Sequence, residues 1–150
     1  MTDRTSSSIT VAADPVTVMG VIADFGAYPE WAAGVRSAAI VETGQGGRPL
    51  RVRLALDAGV IKDSYVLAYE WDGDAAVSWQ LAEAGSMVTE MSGAYLLVSE
   101  DRSTNVRYEL AVGTSVPLPG LIRRRAERTI IDAALKGLKA RAESRPRGDR

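Results

Sequence analysis

Acid–base chemistry in this chain falls to its carboxylates, because none of its 150 residues is histidine or cysteine. That removes the usual general base, the commonest metal ligand and any thiolate nucleophile, so no catalytic triad, metal site or disulfide framework is expected. Asp63 near Tyr65, and Glu70 near Asp72, stand at strand ends, where an exposed carboxylate is ordinary. Glu90 differs. On one register of its strand it faces inward, where desolvation would raise its pKa and suit a general acid; the other register leaves it in water. Gly44-Gln-Gly-Gly47 opens no helix, so it reads as a hairpin turn and not as a phosphate cradle. The chain offers no catalytic residue and calls for no cofactor.

Six strands are predicted in quick succession: Val35–Glu42, Leu50–Asp57, Lys62–Trp71, Ala75–Ala82, Thr89–Ser99 and Asn105–Val112. Segments rich in Gly, Asp and Ser separate them, all with turn chemistry. Val52, Leu54 and Leu56 alternate with Arg51 and Arg53; Tyr65, Leu67, Tyr69 and Trp71 with Ser64, Ala68 and Glu70; Val77, Trp79 and Leu81 with Ser78 and Gln80; Val106, Tyr108, Leu110 and Val112 with Arg107, Glu109 and Ala111. One apolar and one wet face mark an antiparallel sheet covered on one side. A short strand over Ser8–Ala12 precedes them, and Asp14-Pro15 gives an N-cap and first helical residue for a helix that ends near Asp24–Gly26. Tyr28-Pro-Glu-Trp31 reads as a second, short helical turn.

After the Pro117–Gly120 corner, a single helical pattern runs from Leu121 to about Glu143. One lone helix after a sheet must bury its apolar stripe against that sheet. Ile122, Ala126, Ile130, Ala133, Gly137 and Leu138 form the predicted stripe. Its small members face large aromatics, which leaves either a cavity or close packing. One domain is expected over residues 8–143, with a disordered N-terminus over 1–7 and a flexible basic tail over 144–150.

The net charge is −1, with 46% hydrophobic and 25% charged residues, as in ordinary globular chains. Charge is unevenly spread: residues 120–150 hold ten basic and four acidic side chains, and residues 1–119 hold eight and fifteen. Arg123 with Glu127, Arg128 with Asp132, and Asp132 with Lys136 have i,i+4 spacing, so the basic helix reads as a solvated face. No aromatic ring is interleaved with the arginines, and no nucleic-acid partner is expected. The polar first eight residues lack the apolar core of a secretory signal, and no window is long enough to span a membrane, so a cytoplasmic protein is expected. Fifteen arginines against three lysines suggest a high-GC bacterial source.

The phrases Ile9-Thr-Val11 leading to Asp14-Pro15, Ile22-Ala-Asp-Phe-Gly-Ala-Tyr-Pro-Glu-Trp31, Val77-Ser-Trp-Gln-Leu81, Ser92-Gly-Ala-Tyr95 and Val116–Glu127 stand in an order that resembles the START-like (SRPBCC) superfamily. Within it the likeness is to the polyketide cyclase/dehydratase and coenzyme Q-binding branch, and it spans roughly residues 7–143. The resemblance implies an α+β helix-grip fold, in which a seven-stranded antiparallel sheet wraps a long C-terminal helix around a hydrophobic pocket. It raises the cavity reading above plain packing. The same fold serves carriers, cyclases, receptors and chaperone activators, so it does not choose a function.

As a carrier, the chain would line its pocket with Leu54, Tyr65, Leu67, Trp79, Tyr95 and Tyr108 from the sheet and Ile122, Ala126, Ile130 and Ala133 from the helix. Trp31 and the Val116–Leu121 corner would stand near the mouth. The expected partner is a hydrophobic small molecule: a lipid, quinone, isoprenoid or polyketide. The cyclases of the family are thought to use an arginine and ring hydroxyls, for which Arg51 and Arg53 with Tyr65, Tyr69, Tyr95 and Tyr108 are the candidates. The alternation, however, sends both arginines toward solvent, and burying an unpaired arginine is costly. A third reading is an interaction module whose groove takes a partner helix. The apolar Val116–Leu121 corner beside Arg123, Arg124 and Arg125 reads first as a rigid connection that aims the helix; transient membrane contact is its other reading.

Overall fold

Turns and alternation decide the sheet. In the computed structural model, which describes residues 4–144, seven strands pair throughout in antiparallel fashion. They are β1 (Thr5–Val11), β2 (Val35–Thr43), β3 (Pro49–Ala58), β4 (Ile61–Asp72), β5 (Ala76–Glu83), β6 (Val88–Glu100) and β7 (Ser103–Thr114). Their order is β1-β7-β6-β5-β4-β3-β2, so every neighbouring pair except β1 and β7 is a hairpin. Gly59 in the β3–β4 turn and Gly73 in the β4–β5 turn take positive φ, a conformation that a Cβ would strain. Among the described residues three α-helices accompany the sheet: α1 (Pro15–Ala23), α2 (Tyr28–Trp31) and α3 (Gly120–Ser144). Asp14 caps α1, its carboxylate accepting from the Thr17 N–H at 2.8 Å. α1 and α2 fill the crossover from β1 to β2, and α3 lies across the apolar face of the sheet, mainly against β1 and β7. This is the helix-grip arrangement.

β1 begins earlier than expected. Thr5, Ser6 and Ser7 pair with Leu110, Glu109 and Tyr108, so the disordered segment predicted over residues 1–7 does not reach Thr5. The cause sits on α3. Pairing with β7 ends at Thr5, which leaves the Val112 N–H without a strand partner on that side. The Glu127 carboxylate takes it at 2.8 Å and accepts the Thr5 hydroxyl at 2.6 Å. Glu127 is only 1% exposed. One carboxylate therefore ends β1, satisfies β7 and pins the helix to both. The predicted tail begins at Ser144, the last residue of α3, and otherwise lies outside the described residues.

The buried side of α3 is turned from the predicted stripe. Ala126, Glu127, Ile131, Ala134, Leu135, Leu138 and Ala142 are buried, while Ile122 is 45% exposed and Ala133 is half-buried. Reading the stripe from apolar residues alone excluded Glu127 and so missed the rotation. Gly137 faces the Trp31 carbonyl so closely that a Cβ would collide with it, which explains a glycine in mid-helix. Of the three ion pairs expected along α3, only Arg123 with Glu127 forms, at 4.0 Å.

Replacing Glu127 by Ala leaves the Val112 N–H buried and unpaired, a loss of about 2 kcal/mol. Urea unfolding should show that loss, and Glu127→Gln, which keeps an acceptor, should recover most of it. Equal stability of the alanine variant and the parent would show that the carboxylate does not hold the helix.

Candidate functional site

Alternation puts one set of side chains from each strand against α3, and they do not fill the space completely. A cavity of about 70 Å³ remains. Leu54 and Leu56 of β3, Tyr65, Leu67 and Tyr69 of β4, and Trp79 of β5 line one side. Met91 and Tyr95 of β6 and Tyr108 and Leu110 of β7 continue it, and Tyr28, Val35 and Ile130 close it. All are buried except Val35 and Ile130, which are partly exposed, so the cavity is nearest to solvent between the start of β2 and α3.

The lining is largely a ring cluster. Trp79 meets Tyr108 edge-on at 5.5 Å, Tyr95 at 5.6 Å and Tyr69 at 5.7 Å, and Tyr95 lies 4.6 Å from Tyr108. Register makes this possible. Trp79 is paired across the sheet with Gly93, and a Cβ on Gly93 would occupy the space taken by the indole. Phe25, between α1 and α2, closes the cluster against Tyr28 and Tyr69.

Its chemistry is that of neutral donors. The chain has five tyrosines, and all five line this cavity. The Tyr28 hydroxyl donates to the Ile22 carbonyl. The hydroxyls of Tyr65, Tyr69, Tyr95 and Tyr108 make no hydrogen bond among the described residues. Burial pushes the pKa of all five upward, and mutual proximity adds to this for Tyr28, Tyr65, Tyr69 and Tyr95. They remain protonated and can donate to a guest. No carboxylate or guanidinium lines the cavity.

The expected site residues divide. Leu54, Tyr65, Leu67, Trp79, Tyr95, Tyr108 and Ile130 stand together in the lining. Trp31, Leu121, Ile122, Ala126 and Ala133 stand outside it. Trp31 is half-buried between Tyr28 and α3 with its indole N–H unpartnered, Ala126 is buried elsewhere in the core, and Leu121 and Ile122 are exposed. Tyr69, named only among the cyclase hydroxyls, lines the cavity as well, and of the lining residues not expected, Leu56 and Leu110 share the alternation of their neighbours and were legible from it. Tyr28 comes from a segment too short to show a period, and Val35 from the start of β2, whose apolar residues do not alternate and whose register shifts between Val35 and Ser37. Met91 comes from a strand start whose register is shifted by an irregularity between Val88 and Glu90. The same irregularity leaves Glu90 exposed, so the inward general acid considered for it is not formed.

The remaining charged candidates are outside. Arg51 and Arg53 are about half exposed and lie 3.4 Å from Glu42 and Glu83 respectively. Asp63 is a structural clamp. Partial burial would raise its pKa, but the N–H groups of Val88, Met87, Ser64 and Ser86 outweigh that and hold it at about 2. A Cβ on Gly85 would collide with this carboxylate. Among the described residues no cluster of three or more carboxylates could hold a metal, and no helix is long and apolar enough to cross a membrane.

Known proteins share this fold. The model of the family described as polyketide cyclase / dehydrase and lipid transport matches residues 2–143. A START superfamily protein from Mycobacterium smegmatis is 23% identical with a TM-score of 0.85, over 94% of this chain and 97% of that one. The Zhui aromatase/cyclase from Streptomyces sp. R1128 is 20% identical with a TM-score of 0.77, over 99% and 98%. The protein TTHA0849 from Thermus thermophilus is 22% identical with a TM-score of 0.77, over 93% and 96%. At these identities the likeness is one of fold. No curated protein matches the sequence.

Two titrations check the site. Because every tyrosine is in the cavity, absorbance at the tyrosinate band should stay flat through the ordinary phenol range near pH 10 and rise only as the protein unfolds. Folding favours the protonated phenols, so stability should fall as pH climbs past about 10. A tyrosinate step in the folded protein would show that a hydroxyl reaches water. For Asp63 the sign is opposite: its stabilisation is present above about pH 4 and lost as pH falls toward 2. Asp63→Ala should therefore flatten the acid limb of a stability–pH curve, and an unchanged limb would rule out the clamp.

Proposed function

We propose that this chain, which belongs to the polyketide cyclase/dehydrase and lipid transport family, binds a hydrophobic small molecule that carries oxygen acceptors in the cavity between its sheet and α3. One observation carries the reading. All five tyrosines surround one apolar space, and four of their hydroxyls have no partner among the described residues. These hydroxyls belong to residues that line the cavity, where a ligand carbonyl can accept from them in place of water. Quinone and polyketide carbonyls supply such acceptors in number; a simple lipid or isoprenoid supplies fewer.

The cavity of about 70 Å³ has room for a few water molecules. Pockets for ordinary ligands measure about 300–1,000 Å³. Uptake therefore goes with movement of α3 away from the start of β2, where Val35 and Ile130 already meet solvent, and with rotation of the rings. A cyclase or dehydratase in the same cavity would have to act through shape and hydrogen bonds alone, since no ionised side chain lines it. That favours binding over catalysis. The reading as an interaction module is less well supported, since only Val35 and Ile130 leave the lining open to a partner helix.

Native mass spectrometry of the protein from its own host, followed by organic extraction, tests the reading. A co-purifying hydrophobic molecule is expected. Ile130→Trp should abolish its retention with the fold intact, and Tyr95→Phe or Tyr108→Phe should each weaken binding about three- to tenfold. A clean ligand-free mass, with no thermal shift from quinones, fatty acids or polyketide mimics, would sink the proposal.

A further inference from the structure

The N-terminal corner of α3 presents a surface that the cavity does not use. Val116 and Leu121 are 72% and 73% exposed, and Ile122 is 45% exposed. They bracket Pro117 and Pro119, which lead the chain into the helix. Three arginines follow at once, and Arg128 comes nearly one turn later. Arg123 lies 4.0 Å from Glu127, whose carboxylate is already engaged by Val112 and Thr5. Arg124, Arg125 and Arg128 are exposed and form no ion pair among the described residues. At about 100° per residue, Leu121, Arg124, Arg125 and Arg128 share one side of the helix, and Ile122 flanks it. The first turn holds no acidic residue. Stacked cations at the positive end of the helix dipole repel each other and the dipole, so this end is poorly arranged for the isolated protein.

We propose that this corner docks on an anionic lipid bilayer, with Val116, Leu121 and Ile122 entering the interface and Arg124, Arg125 and Arg128 among the lipid phosphates. Charge complementarity selects this occupant. Aliphatic side chains alone would suit any apolar partner; set among unpaired arginines, on a chain whose first 119 residues are net acidic, they match a surface that is anionic outside and apolar beneath. A nucleic acid would use the arginines but not the aliphatic tip, and no aromatic ring stands there to stack a base. The inference does not depend on what the cavity binds.

The test is co-sedimentation of the full chain with vesicles of phosphatidylcholine alone and of phosphatidylcholine mixed with phosphatidylglycerol, at rising salt. Binding is expected only with the anionic lipid, and it should weaken as salt increases. Arg124→Ser with Arg125→Ser should reduce it on the order of tenfold or more. Leu121→Ser with Ile122→Ser should reduce it comparably while the salt dependence remains. Unchanged thermal unfolding would show that both variants fold. Three results would each overturn the proposal: no binding, or equal binding to neutral vesicles; binding that both variants retain in full; and tighter binding to a duplex oligonucleotide than to the anionic vesicles.

Discussion

One helix has to cover a sheet much wider than itself. Seven strands spaced about 4.8 Å apart span roughly 29 Å, whereas a helix with its side chains is about 10–12 Å across. α3 reaches mainly β1 and β7, so the rest of the apolar face must be closed by other means. α1, α2 and Phe25 close part of it from the crossover, and the sheet's own aromatics close the remainder. Two glycines make room for this: Gly93 under the Trp79 indole and Gly137 against Trp31. The cavity is the space that this partial covering leaves behind.

The choice of filler carries the functional meaning. The chain contains one phenylalanine and five tyrosines, and every tyrosine is turned inward. Phenylalanine would close the same space without polar atoms. Four of the five hydroxyls take no partner from the described residues and line a space with room for water or for a guest's acceptors. The same burial keeps the phenols protonated, which fits orientation of a guest and not proton transfer.

Fixing α3 falls to a charged group. Glu127, buried among apolar neighbours, is held by a strand N–H and a threonine hydroxyl, and these orient the helix more specifically than its alanines could. Charge-assisted hydrogen bonds of this kind are stronger and more directional than apolar contact. The two sides of the helix at this end differ accordingly. One is anchored inward by Glu127, and the other presents cations to solvent directly beside the aliphatic corner.

By itself the sequence determined the elements, their order, and which side chains of each strand share a face. Period-two alternation and turn chemistry are local properties, and they were enough to place Leu54, Tyr65, Leu67, Trp79 and Tyr108 on one side, whereas Tyr95 came with the family resemblance. The helix's length was equally legible, since it is bounded by the Pro117–Gly120 corner. Its rotation was not, because the residue that sets it is a glutamate whose partners, Thr5 and Val112, are distant in sequence; no periodicity of apolar residues can include it. Thr5 joined β1 for the same reason, and Tyr28 joined the cavity because the crossover folds back over the sheet. The local irregularity at the start of β6 turned Glu90 out to water. Only the tertiary structure could decide how much of the interior the rings fill, since that volume is a small difference between a wide sheet and everything packed on it.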